Sequence, residues 1–185
     1  MAVLDDYDVA SAEARRVVRA LTPDQLGAPS KCAEWDVRGV LSHLVTGSLM
    51  AVSVVRGDPP PDRQTDHLGD RPLEAFDAAL DDVRAALSEP GVLEKTYPTP
   101  LGEQPGSFVA TMRINELVVH SWDIAAATGQ STDIAPELAA AALAMWRSRL
   151  GDGARPAGMP FDDPQPVPPG ATAADGLAAY LGRRC

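Results

Sequence analysis

The amino-acid sequence predicts an all-α fold, most simply a four-helix bundle with added short helices and an irregular C-terminal segment rich in proline and glycine. Two observations carry this reading. Apolar side chains recur at intervals of three and four residues through several long segments. Almost no stretch shows the two-residue alternation of a half-buried strand, and the chain contains no internal repeat, no Gly-rich phosphate loop, no CxxC pair and no GxSxG.

The elements follow in order. Residues 4–21 place Ala10, Ala14, Val17 and Leu21 on one helical face, and Thr22-Pro23 ends the segment. Asp36 is the N-cap of a second helix with Val37, Val40, Leu41, Leu44 and Val45 as its apolar stripe. Gly57-Asp58-Pro59-Pro60-Pro61 closes it, and residues 61–71, with His67, form a polar loop. A third helix over 72–88 spaces Leu73, Phe76, Leu80, Val83 and Leu87 by three and four. Residues 97–102, YPTPLG, read as turn-rich and too short and broken for a regular element. A fourth helix covers 107–127 and stops at Gly129, a fifth follows Pro136 to Leu150, and a short last helix covers 173–181. Residues 151–170 read as irregular. All 185 residues are read as a single helical-bundle domain.

Hydrophobic residues make up 45% and charged ones 23%, as in an ordinary folded domain, and the formal net charge is −10. That balance excludes nucleic acid, whose phosphates need a basic face, and an anionic membrane surface. The start, MAVLDDYDVASAEARR, lacks the basic and apolar regions of a leader. No apolar run approaches the ~20 residues of a spanning helix. A cytoplasmic protein is expected, with Cys32 and Cys185 as reduced thiols. Lysine occurs only at Lys31 and Lys95, a bias of high-GC genomes, actinobacteria among them.

The chemistry gathers in residues 114–123, INELVVHSWD. On a helix, Arg113, Glu116, His120 and Asp123, spaced by three, four and three, form one polar line. The remaining positions are almost all apolar, so the helix is buried and its polar line must find partners inside protein. Three arrangements satisfy this pattern. The line is an exposed stripe; or it is a buried network in which Arg113 pairs with Glu116 and His120 with Asp123; or Glu116 and His120 reach one metal ion. A metal needs a further ligand, and His43, in VLSHL on the second helix, is the natural candidate; His67, in its polar loop, is a weaker one.

EWDVRGVLSHL and, some seventy residues on, ELVVHSWDIAAATG resemble the metal-binding domain of the mycothiol-dependent maleylpyruvate isomerase family, within the DinB-like, thiol-transferase superfamily of four-helix bundles. The tail GATAADGLAAYLGRR is similar to that of single-domain actinobacterial members described as metal-binding. The resemblance covers nearly the whole chain and implies a metal held by His43, Glu116 and His120, usually zinc. It also implies mycothiol as co-substrate. The isomerase carries a further C-terminal domain that helps to form its active site, so the scaffold is expected to carry over better than the substrate.

Two imidazoles and one carboxylate leave zinc an open position, the arrangement of catalytic rather than structural sites. Nickel or iron(II) suits the same donors. The function expected is a zinc-dependent thiol S-transferase or isomerase acting on a small electrophile, with Arg113 and Asp123 supporting the ligands. The alternative is a helical protein that binds a metal or small molecule without turnover. A monomer or homodimer fits either.

Overall fold

The computed structural model describes residues 3–32, 35–99, 102–156, 158–159 and 161–185. Its helices are α1 (Val3–Arg19), α2 (Val37–Arg56), α3 (Pro72–Leu87), α4 (Gly106–Thr128), α5 (Pro136–Leu150) and α6 (Ala173–Tyr180), with a short 3-10 helix at Pro23–Gly27. Strands β1 (Thr96–Thr99) and β2 (Gly102–Pro105) pair antiparallel. The expected helices fall within a residue or two of their predicted bounds.

The paired strands correct the reading of residues 97–102 as too broken for a regular element; residues 100–101 lie outside the described residues. Pro98, opposite Glu103, has no N–H to give a ladder. A two-stranded ribbon consists of edges alone, where proline is tolerated, so proline content misled the sequence reading. The ribbon leads directly into α4. Lys95 O accepts the Gly106 N–H at 2.9 Å and Leu93 O that of Ser107 at 2.9 Å. Gly106 is required there, because a Cβ would stand 2.0 Å from Val92 O.

A second correction concerns α2. By length and composition Val37–Arg56 is apolar enough to cross a membrane, which the sequence reading denied of every segment. Its Val37, Val40, Leu41, Leu44 and Val45 are buried against protein, as in any core helix.

The chain divides into two compact units. The first comprises Met1–Arg15 and Leu41–Leu117. Its core gathers Tyr7, Leu41, Leu44, Phe76, Leu80, Leu87 and Leu117, each 2% exposed or less. Tyr7 donates its hydroxyl to Leu80 O at 3.0 Å, and burial pushes that phenol up to about 12. At the surface, Arg15 bonds Asp77 and Asp81, and Arg84 bonds Asp8.

The second unit comprises Arg16–Val40 and Val118–Cys185. Asp36 caps α2 as expected, accepting the Gly39 N–H at 2.7 Å. Its core is Val17, Val37, Trp122, Ile124, Ile134, Leu177 and Leu181. The described residues of 151–170 are irregular yet tied down: Arg155 donates to Tyr180 O at 2.9 Å and Gln165 N–H to Ala179 O at 2.9 Å. Thr172 and Asp175 form a capping box at the start of α6. Asp175 has a second task, accepting the Trp122 indole N–H at 2.7 Å. Past the end of α6, Gly182 takes φ +90°, a left-handed value. The Gly182 N–H bonds Ala179 O at 3.0 Å and the Arg183 N–H bonds Ala178 O at 2.9 Å, a Schellman closure that turns the chain back.

Burial pushes the Asp175 carboxyl up, but the Trp122 indole and the Thr172 and Thr132 donors outweigh it and hold it below its usual value. A depressed native pKa stabilises above the unfolded carboxyl pKa of ~3.9 and loses that contribution as pH falls through the native value. Asp175→Asn is therefore expected to cost about 1–3 kcal/mol at pH 7, from a lost cap and a weakened indole acceptor. The gap from wild type narrows as pH drops below ~4, read from urea unfolding midpoints.

Candidate metal centre

Helix α4 is unbroken over 23 residues and carries Ile114, Leu117, Val118, Val119, Trp122, Ile124 and Ala125 buried around its circumference. Arg113, His120 and Asp123 are buried with them, so the polar line is not an exposed stripe.

In the first unit the line meets α2. His43 Nε2 lies 2.7 Å from Glu116 Oε2, with both side chains about a third exposed at 36% and 29%. Arg113 lies deeper. Its Nη2 donates to Leu44 O at 3.2 Å and Ser48 Oγ at 3.3 Å. Gly47 makes room, since a Cβ there would stand 2.5 Å from Arg113 Nη1. Burial lowers the Arg113 pKa, and the Glu116 charge opposes that shift. Arg113 Nε is buried without a hydrogen bond among the described residues. The pairing of Arg113 with Glu116 considered from sequence is thus one of charge, while its hydrogen bonds go to Leu44 O and Ser48 Oγ of α2.

In the second unit His120 Nδ1 lies 2.9 Å from Asp123 Oδ2, as the network reading expected. Asp123 is 0% exposed. Its carboxylate takes both forks of Arg183, Nε to Oδ1 at 3.2 Å and Nη2 to Oδ2 at 3.0 Å. Burial pushes the Asp123 carboxyl up, but the bond from His120 and the charge and bonds of Arg183 overcome it, leaving the pKa below its usual value. An ionised carboxylate only accepts, so His120 donates from Nδ1, and in the neutral ring the lone pair is then on Nε2. That is the tautomer a metal-ligating histidine adopts. Arg183 Nη2 also lies 3.6 Å from Cys32 Sγ. The Trp35 ring stands 6.2 Å from that of His120, tilted 44°.

Glu116 and His120 are one turn apart on the same unbroken helix. A nitrogen of His43, a carboxylate oxygen of Glu116 and a nitrogen of His120 lie within 4.8 Å of one another. Two imidazoles with a carboxylate match the donor preference of zinc, whose bonds to such ligands run to about 2.0–2.2 Å. Cys32, His120 and Asp123 form an overlapping donor group within the same limit. His67 takes no part in either: its Nε2 lies 2.8 Å from Asp62 O in its own loop.

Residues 7–125 match the family model for the mycothiol maleylpyruvate isomerase N-terminal domain. The chain belongs to this family. Two uncharacterized proteins of Mycobacterium tuberculosis, from strains CDC 1551 / Oshkosh and ATCC 25618 / H37Rv, are each 39% identical over 160 residues, 86% of this chain and 86% of theirs. Among solved structures, the mycothiol-dependent maleylpyruvate isomerase is similar with a TM-score of 0.66 at 16% identity, over 82% of this chain and 72% of that one. A histidine-to-alanine mutant of that isomerase matches over the same shares with a TM-score of 0.67 at 17% identity. At such identity the likeness is one of fold, the DinB-like helical fold expected from sequence.

Sequence reasoning missed Arg183. It follows a Leu-Gly pair that signals a helix end, but nothing local to LGRR marks Asp123 as its partner. Asp123→Asn leaves this guanidinium buried without its counter-charge and is expected to destabilise the metal-free protein by about 3–5 kcal/mol. Asp123→Asn with Arg183→Met recovers part of that loss, and a double-mutant cycle by urea unfolding measures the coupling.

Proposed function

We propose that His43, Glu116 and His120 hold a divalent metal ion, zinc by preference, and that the site activates a low-molecular-weight thiol for transfer to, or isomerisation of, a small electrophile. The convergence of these three donors carries the reading. Family membership supports the thiol as mycothiol, since the isomerase of similar fold is described as mycothiol-dependent.

The chain's residues divide the work. His43 and Glu116 present donors from α2 and α4. Asp123 holds the proton on His120 Nδ1, which keeps the Nε2 lone pair available. Arg113, anchored on Leu44 O and Ser48 Oγ, places a fixed positive charge near Glu116 and favours its ionised, ligating form. A zinc ion bound here supplies Lewis acidity that lowers the pKa of a thiol or water beside it, giving a nucleophile at neutral pH. Three protein donors leave room for that nucleophile, whereas a fourth would close the site.

The test is metal content by mass spectrometry after reconstitution with zinc. The expected result is about one zinc per chain in wild type and a loss of at least tenfold in His43→Ala, Glu116→Ala and His120→Ala. Cobalt-substituted protein is expected to gain a thiolate charge-transfer band on adding mycothiol. Absence of metal from wild type after reconstitution with zinc, nickel or iron(II) overturns the site, and metal without any thiol response overturns the thiol chemistry.

A further inference from the structure

We infer that Arg183, in the tail beyond the family-matched segment, is a positioning residue for the metal site: it fixes Asp123, and through Asp123 the tautomer and orientation of His120. The inference rests on the metal-site reading for its effect on affinity, but not for its effect on the imidazole.

The chain of contacts is continuous and lies within one compact unit. The Arg183 guanidinium engages both oxygens of Asp123 at 3.2 and 3.0 Å, and Asp123 Oδ2 lies 2.9 Å from His120 Nδ1. Asp123 is fully buried and Arg183 is 7% exposed, so neither charge has water as a substitute partner. The two-point contact sets the plane of the carboxylate, which a single donor leaves free to rotate. A set carboxylate plane in turn sets the ring of His120, because Nδ1–H must point at Oδ2.

The tail is built to deliver that guanidinium. Gly182 turns the chain at φ +90°, where a Cβ would meet Asp162 at 2.6 Å. The Arg183 N–H closes on Ala178 O at 2.9 Å, and its Nη1 donates to Leu181 O at 3.1 Å, so backbone and side chain are both held. Behind it, α6 is fastened to α4 by the Trp122–Asp175 bond at 2.7 Å, one residue before Asp123. The family match ends at residue 125, so this chain supplies from outside the matched segment a group that acts on a residue inside it.

The experiment compares wild type, Arg183→Gln and Arg183→Lys, folded state verified by proton NMR. In metal-free protein, nitrogen-15 spectra of the His120 ring are expected to show the Nδ1–H tautomer in wild type, a shift towards an exchange average in Arg183→Gln, and an intermediate position in Arg183→Lys. Zinc affinity by competition with a chromophoric chelator is expected to fall about tenfold to a hundredfold in Arg183→Gln, and less in Arg183→Lys. An unchanged His120 tautomer in Arg183→Gln overturns the inference whether or not affinity falls, and so does unchanged affinity in a wild type that binds zinc. Failure of wild type to bind zinc overturns the metal reading alone, and the ring spectra still decide the role of Arg183.

Discussion

A carboxylate with no exposure to water is the constraint around which the second unit is arranged. Asp123 sits on a helix apolar on nearly every side, and an isolated charge there would cost many kcal/mol. Two partners offset that cost. One is its neighbour on α4, His120; the other must travel sixty residues along the chain. The return of the tail, the left-handed turn at Gly182 and the fastening of α6 by Asp175 all follow from bringing Arg183 to this spot.

The same pairing determines what His120 can do. A histidine whose Nδ1 is committed to an ionised carboxylate offers Nε2 as a donor and has little freedom to turn. Glu116, one turn earlier, is presented together with His43. Arg113, on α4, is buried against α2 because Gly47 of α2 lacks a side chain. Arg113 and Asp123, at the two ends of the polar line, are each held by partners of their own, Leu44 O and Ser48 Oγ for the one and His120 and Arg183 for the other. These partners make the burial of Arg113 and Asp123 tolerable, while Glu116 keeps partial exposure.

The helices and the stacking of Glu116 and His120 on one of them were legible in the sequence because both depend on short-range spacing. A 3.6-residue period exposes an amphipathic stripe, and a Glu-xxx-His pair on an otherwise apolar helix has few bland explanations. The β1–β2 hairpin was hidden because its prolines sit on edges, where they cost the ladder nothing. Arg183 was hidden for a different reason. Its pairing with Asp123 is a long-range contact, and a short tail motif does not name its partner. The sequence offered Asp123 to His120 correctly, but the second charge that makes the burial of Asp123 tolerable emerged only from the fold.

Anomalous diffraction at the zinc edge, on crystals of the wild-type chain grown with stoichiometric zinc, tests the central claim most directly. One strong peak per chain is expected, bonded to an imidazole nitrogen each of His43 and His120 and to a carboxylate oxygen of Glu116, at about 2.0–2.2 Å. A peak on Cys32, His120 and Asp123 instead, or no ordered peak near α4, would contradict it.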